Sequence, residues 1–203
     1  MKHLVQKQLA QSIATMQAVL EDPQLADTLV AAADLTARAL RTGHKLLVAG
    51  NGGSAADAQH LVAEFVVRLT VDRPAMRAIA LTTDSSILTA AGNDYGFAQV
   101  FSRQLEALAQ PGDVFLGIST SGNSANIINA LHQARKIGIS TIGLSGNGGG
   151  QMSPLCDHNL IIPSNVTMNI QESHLALEHI FCMLVERFLF GEDLDTRPQI
   201  LSE

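Results

Sequence analysis

Cysteine is scarce: Cys156 and Cys182 are the only two in 203 residues, and their spacing matches no metal motif. A disulfide framework is excluded as the basis of the fold, and a reducing compartment is expected. Basic charge is short as well. Thirteen Lys and Arg stand against nineteen Asp and Glu, a formal net charge of -6, which argues against a general nucleic-acid or anionic-membrane surface. A phosphate ligand stays open, because backbone dipoles and hydroxyls can hold one without a basic patch. No apolar run reaches the length of a membrane span. The opening Met1-Lys2-His3-Leu4-Val5-Gln6-Lys7-Gln8 lacks the apolar core of a signal peptide. There is no low-complexity block and no obvious internal repeat. These absences lead to the expectation of a soluble cytoplasmic protein with neither a nucleic-acid nor a membrane partner.

What is present is a hydrophobic fraction of 46% in a length that suits one domain, or one domain with a helical extension. Val5, Leu9, Ile13, Met16 and Leu20 recur at helical spacing over residues 2–20. Leu25, Leu29, Ala33 and Leu40 continue the pattern over 24–42, after Asp22-Pro23 as a start signal and before Gly43 as a stop. The apolar stripes of these two helices must be covered by the domain or by another subunit. Strands and helices then alternate. Strands are expected at 45–49, 78–81, 113–118, 141–144 and 159–162. Helices are expected at 55–68, 85–91, 98–109, 125–137 and 170–190, with breaks at 92–96 and a Gly-rich turn at 146–150. Short apolar strands separated by helices predict a parallel sheet covered on both faces. Ligands of such sheets sit at the carboxyl ends of the strands, near a topological switch point. The loops at 50–54 and 119–124 both follow strands and can face one crevice.

The most informative stretch is Gly117-Ile118-Ser119-Thr120-Ser121-Gly122-Asn123-Ser124. It joins the apolar run Val114-Phe115-Leu116 to the helical pattern that begins near Ile127. Hydroxyls and free N–H groups therefore gather at a helix start, whose partial positive charge suits a phosphate. Capping alone would need one such side chain rather than four. Gly50-Asn51-Gly52-Gly53-Ser54-Ala55 fits a loose dinucleotide fingerprint. That fingerprint also wants an acidic residue at the end of the second strand, and Asp84 lies beyond the expected spacing. The glycines fit better as a close approach to a smaller ligand, with no nucleotide cofactor.

His60 and Glu64 lie four apart, on one helical face. Such a pair serves a shared metal, an acid/base couple or an ordinary surface contact, and spacing alone does not choose. On the last helix Gln171 and His179 are eight apart, roughly 80° around the axis, while His174 points elsewhere. A polar helix start with His179 satisfied in the core beside Phe181 explains them equally well. Asn93-Asp94 reads as a turn between two helices, or as a holder of a sugar hydroxyl.

Together these residues form a recognisable pattern. The chain resembles the SIS (sugar isomerase) family and, within it, the phosphoheptose isomerases, which convert sedoheptulose 7-phosphate to D-glycero-D-manno-heptose 7-phosphate. The resemblance covers almost the whole chain as a single domain over 1–203. Its motifs are Gly50–Ser54, His60 with Glu64, Arg73-Pro74, Asn93-Asp94-Tyr95-Gly96-Phe97, Gly112-Asp113, Gly117–Ser124, and Ile170-Gln171-Glu172 with His174 and His179. It implies a flavodoxin-like α/β fold: three layers around a parallel five-stranded sheet, with an N-terminal helical extension (1–43) that joins a homotetramer.

The resemblance further implies a phosphate site at Ser119, Thr120, Ser121 and Ser124. Sugar contacts would come from Asn51, Gly52, Gly53, Glu64, Asn93, Asp94 and Gln171. A zinc ion would be held at His60, Glu64, Gln171 and His179, and proton transfer assigned to Glu64 and His179. The implied role is heptose precursor synthesis for lipopolysaccharide. One departure stands out. The family usually has Arg directly before Ile-Gln-Glu, where this chain has Asn169, and some relatives carry an acidic residue at the place of Met168. Contacts at the mouth of the site are open on that account. The alternative is a non-enzymatic SIS regulator that binds the bacterial replication initiator. In such a regulator the positions matching Glu64 and His179 do not carry these residues, whereas both are present here.

Overall fold

The structure, a computed structural model, describes residues 1–191; the part of the expected domain beyond 191 lies outside the described residues. Helix α1 spans Lys2–Leu20 and α2 Pro23–Arg41. The entry to α2 follows from its sequence. Asp22 accepts from the backbone N–H of Gln24 (3.0 Å) and Leu25 (3.2 Å), and Pro23 takes the first position, where no N–H is needed. The remaining elements alternate as expected: β1 Leu46–Ala49, α3 Gly53–Val66, β2 Ala78–Ala80, α4 Ser85–Tyr95, α5 Ser102–Leu108, β3 Val114–Ser119, α6 Ala125–Ile137, β4 Ser140–Ser145, β5 His158–Ile161 and α7 Thr167–Phe190.

Among the described residues all four strand pairings are parallel, in the order β2-β1-β3-β4-β5. This is the flavodoxin-like order, with its switch point between β1 and β3. Successive residues of β1 feed opposite faces. Leu46 and Val48 pack with α2, α3 and α7, through Leu29, Leu61, Phe65, Leu177 and Phe181 among others. Leu47 and Ala49 pack with the α4, α5 and α6 side, through Ala91, Leu105, Ile127 and Leu131. The start of the central sheet is pinned by the buried Asp113. It accepts from Lys45 Nζ (2.6 Å), from the Lys45 N–H (3.0 Å) and from the Gln110 N–H (2.9 Å).

Several expectations are corrected. No break occurs at 92: α4 runs through Gly92, Asn93 and Asp94 and stops at Gly96, whose φ is +84°. A single glycine inside a helix costs only about 1 kcal/mol, which neighbouring turns can absorb. The helix expected at 98–109 is divided into a 3-10 turn at Phe97–Gln99 and α5. The Gly-rich turn extends into a 3-10 segment, Asn147–Leu155. Helix α3 starts at Gly53 rather than 55, and α7 at Thr167 rather than 170, so Met168 and Asn169 fall in the first turn of α7.

Candidate active site

Helix α3 leaves the carboxyl end of β1 and presents Gly53, Asp57, His60 and Glu64 on one face, at spacings of four, three and four. Helix α7 packs alongside, with the Phe65 and Phe181 rings stacked at 5.9 Å between centroids. It carries Gln171, Glu178, His179 and Glu186. The two helices bring the expected proton-transfer residues together. His60 Nε2 and His179 Nε2 are 2.8 Å apart, so one ring donates and the other accepts, and their tautomers are linked. Glu64 Oε1 lies 3.6 Å from His60 Nε2. One ligand atom from each of His60, Glu64 and His179 falls within 4.8 Å of the others. Two imidazole nitrogens and a carboxylate are a donor set that suits zinc.

Gln171 lies against the glycine loop. Its Nε2 donates to both carboxylate oxygens of Asp57, at 3.0 and 3.2 Å. A Cβ at residue 53 would push the Gln171 amide aside, so the glycine leaves that amide its place beside Asp57. Asp57 was not singled out from the sequence, although its place three residues before His60 puts it on the same face. Burial raises its pKa, opposed by the Gln171 bond and by His60. Behind the site, Glu178 is 1% exposed and neither carboxyl oxygen has a hydrogen-bond partner. Burial first, and the charge of Asp57 second, push its pKa up from the ordinary 4.5 to about 8. His174 faces the sheet instead, with Nε2 3.0 Å from the Ser145 carbonyl.

At the end of β3 the hydroxyls converge. Ser119 Oγ is 2.8 Å from Ser124 Oγ and 3.5 Å from Ser121 Oγ. Ser124 occupies the N-cap position of α6, yet its side chain makes no capping bond. Its hydroxyl meets that of Ser119 rather than the backbone, which suits a ligand and not a mere cap. Thr120 contributes its carbonyl to the Gly146 N–H at 3.2 Å. The loop is braced from the side by the 3-10 segment. Met152 N–H donates to the Gly122 carbonyl (3.0 Å) and Gln151 N–H to Asn123 Oδ1 (3.0 Å). A Cβ at Gly122 would lie 2.2 Å from the Gly149 carbonyl oxygen, so this contact needs a glycine.

The two loops meet across the switch point. Asn51 Nδ2 donates to Asn126 Oδ1 (2.9 Å), and Asn126 Nδ2 returns a bond to Asn51 Oδ1 (2.7 Å). Asn126 is a second residue that sequence reasoning passed over. Asn93 and Asp94 sit on the exposed last turn of α4, not in a loop. Asn93 donates to Asp94 (2.8 Å), and among the described residues neither bonds to the rest of the site. Asp84 caps α4 through the Ile87 N–H (2.9 Å), so the one acidic candidate for a ribose is engaged elsewhere. Asn169 is not at the mouth. It is 2% exposed and accepts from Gln8 Nε2 (2.9 Å), tying α7 to α1. Met168, 56% exposed, borders a hollow of about 310 Å³ with Asp57, Gln171, Glu172 and Leu175.

A parallel sheet with a hydroxyl-lined helix start at its switch point, in a chain that also gathers a carboxylate and two imidazoles, fits a sugar-phosphate-handling class, and the SIS domain model matches residues 9–146. Curated relatives match over nearly the full chain. The phosphoheptose isomerase of Sulfurimonas denitrificans is 48% identical over 195 residues, 96% of this chain and 100% of the relative. That of Trichlorobacter lovleyi is 51% identical over 191 residues, 94% and 96% of the two chains. Among solved structures, phosphoheptose isomerase GmhA from Neisseria gonorrhoeae superposes with a TM-score of 0.86 at 42% identity, covering 91% of this chain and 98% of that one. The phosphoheptose isomerase from Francisella tularensis gives 0.86 at 34% identity, with 91% and 97% covered. The chain belongs to the phosphoheptose isomerase family of SIS-domain proteins.

Proposed function

We propose that the protein is an aldose–ketose isomerase converting sedoheptulose 7-phosphate to D-glycero-D-manno-heptose 7-phosphate, in heptose precursor synthesis for lipopolysaccharide. The observation that carries this reading is the convergence of Glu64 and His179 from two distant segments, with ligand atoms within 4.8 Å of His60 and of each other. Ketose-to-aldose conversion moves one proton from C1 to C2 and another from O1 to O2. Glu64 takes the C1 proton and returns it to C2. His179 gives a proton to O2 of the enediolate and accepts one from O1. A carboxylate and an imidazole facing one pocket meet both demands. The hydroxyls of Ser119, Thr120, Ser121 and Ser124 and the start of α6 hold the phosphate, so that binding energy at the far end orients the reacting carbons. The sugar contacts we propose are Asn51, Gly52, Gly53, Asn93, Asp94 and Gln171.

His60, Glu64 and His179 would hold a zinc ion, with Gln171 as a fourth donor through its amide oxygen. Such an ion supplies polarisation of the carbonyl oxygen and stabilisation of an enediolate. The family resemblance supports assembly as a homotetramer. So does the exposed apolar face of α1, where Leu4, Leu9, Ile13 and Leu20 are 58–78% exposed. A groove of about 610 Å³ between α1, α2 and α7 continues that face. No described helix is long and apolar enough to cross a membrane, and the cytoplasm is the proposed compartment. The test is incubation with sedoheptulose 7-phosphate, read by product analysis, before and after chelation and after zinc is returned. Appearance of the aldose phosphate is expected. A protein that binds the ketose phosphate and never turns it over would contradict the reading.

A further inference from the structure

The Arg73-Pro74 motif has no part in the chemistry so far, yet Arg73 lies between the two helices that carry it. Its side chain is fully buried, and so is that of Glu186, 1% exposed, whose Oε1 accepts from Arg73 Nε at 2.8 Å. The opposite edge of the guanidinium serves the end of α3. Nη1 donates to the Phe65 carbonyl (2.7 Å) and reaches those of Val67 (3.4 Å) and Pro74 (3.3 Å), while Nη2 donates to the carbonyl of Glu64 itself. The carbonyls of Glu64, Phe65 and Val67 lie at the last turn of α3, where no further helical N–H is available to them. Glu186 is seven residues beyond His179, two turns along one face of α7. Cys182 lies on the turn between them. The guanidinium thus touches the backbone of one proton-transfer residue and the helix of the other.

We propose that Arg73 is a positioning residue for the Glu64–His179 pair: its planar fork fixes the last turn of α3 against α7 and so sets where the carboxylate stands relative to the imidazole. This rests on the isomerase reading above. Only a guanidinium provides the match. Lysine would keep the charge opposite Glu186 but offers a single nitrogen, which cannot also span the carbonyls of Glu64 and Phe65. The phosphate cradle lies on β3 and α6, outside this contact, so Arg73 should act on turnover and leave substrate capture alone.

The experiment measures kcat, KM and melting temperature for the wild type, Arg73→Lys, and the double variant Arg73→Met/Glu186→Leu. Removing one member of a buried pair can unfold a protein, and the double variant avoids that by leaving no unpaired buried charge. At a temperature where each is folded, kcat should fall at least about tenfold in both variants, because small misplacements of reacting groups are costly. KM should stay within about twofold, since the phosphate anchor is untouched. Variants that melt earlier but keep the wild-type kcat would make Arg73 purely structural and overturn the proposal. A wild type without turnover would remove the isomerase reading and the Arg73 role with it. An active wild type beside fully active variants removes the Arg73 role alone.

Discussion

Glu178 is a carboxyl in a place that offers it nothing. Its surroundings are Leu29, Leu116, Ile142, Leu144, Leu160, Leu177 and Phe181, and both oxygens are unpartnered. The fold therefore keeps it protonated, with a pKa raised from 4.5 to about 8. In the unfolded chain it ionises above 4.5. Between those two values the folded state binds the extra proton, so stability falls as pH rises through this window. At pH 7 the gap of about two and a half pKa units corresponds to roughly 3 kcal/mol, at 1.36 kcal/mol per unit. Glu178→Met keeps the length of the side chain and removes the charge. It should stabilise the protein by about 3 kcal/mol at pH 7, or about 6–12 °C in melting temperature for a chain of this size. At pH 5 the gain should shrink below about 1 kcal/mol. Melts of both proteins from pH 5 to 8.5, at one protein concentration, give the comparison. A melting difference that stays constant across that range would refute the reasoning, because the penalty would not be one of ionisation.

Further predictions concern the rest of the molecule. Ser119→Ala with Ser124→Ala should raise KM by about 100-fold or more, as hydrogen bonds to a charged group are worth about 1.5–3 kcal/mol each; an unchanged KM would move the phosphate elsewhere. Ile13→Glu, on the exposed face of α1, should lower the assembly state seen by light scattering, whereas unaltered mass would show that this face is not an interface. His174 is held neutral by burial, its pKa lowered from 6.5 to about 4 against the weaker opposing bond to Ser145. Its contribution is intact above 6.5 and lost as pH falls through 4. His174→Gln should therefore flatten the acid limb of the stability curve by about 3 kcal/mol in denaturant titrations, and an unchanged limb would contradict it.

The sheet was legible because β1 and β3 are short apolar runs that end in glycine and hydroxyl loops, a pattern few other folds use. The grouping of the Ser119, Ser121 and Ser124 hydroxyls was legible because the loop holds more hydroxyls than a cap requires. The elements misjudged were those where a local rule yields to packing. Gly92 looked like a stop but sits inside α4, where the turns on either side hold it. The triplet Gly148, Gly149 and Gly150 looked like a bare turn, but it exists to bring backbone against Gly122. Asp57, Asn126 and Arg73 act through partners 75 or more residues away along the chain, at Gln171, Asn51 and Glu186. No local spacing announces such contacts. Asn169, which as a departure from the family pattern pointed to the substrate, turned out to answer to Gln8 and Thr15 of α1.

The proposed isomerisation assigns the carbon-bound proton to the Glu64 carboxylate. Glu64→Gln keeps the shape of the side chain and removes its basicity, so the variant should bind sedoheptulose 7-phosphate with nearly unchanged Kd by calorimetry. In deuterium oxide it should show no exchange at C1 by NMR. Exchange at the wild-type rate in that variant would place the base elsewhere and contradict the account.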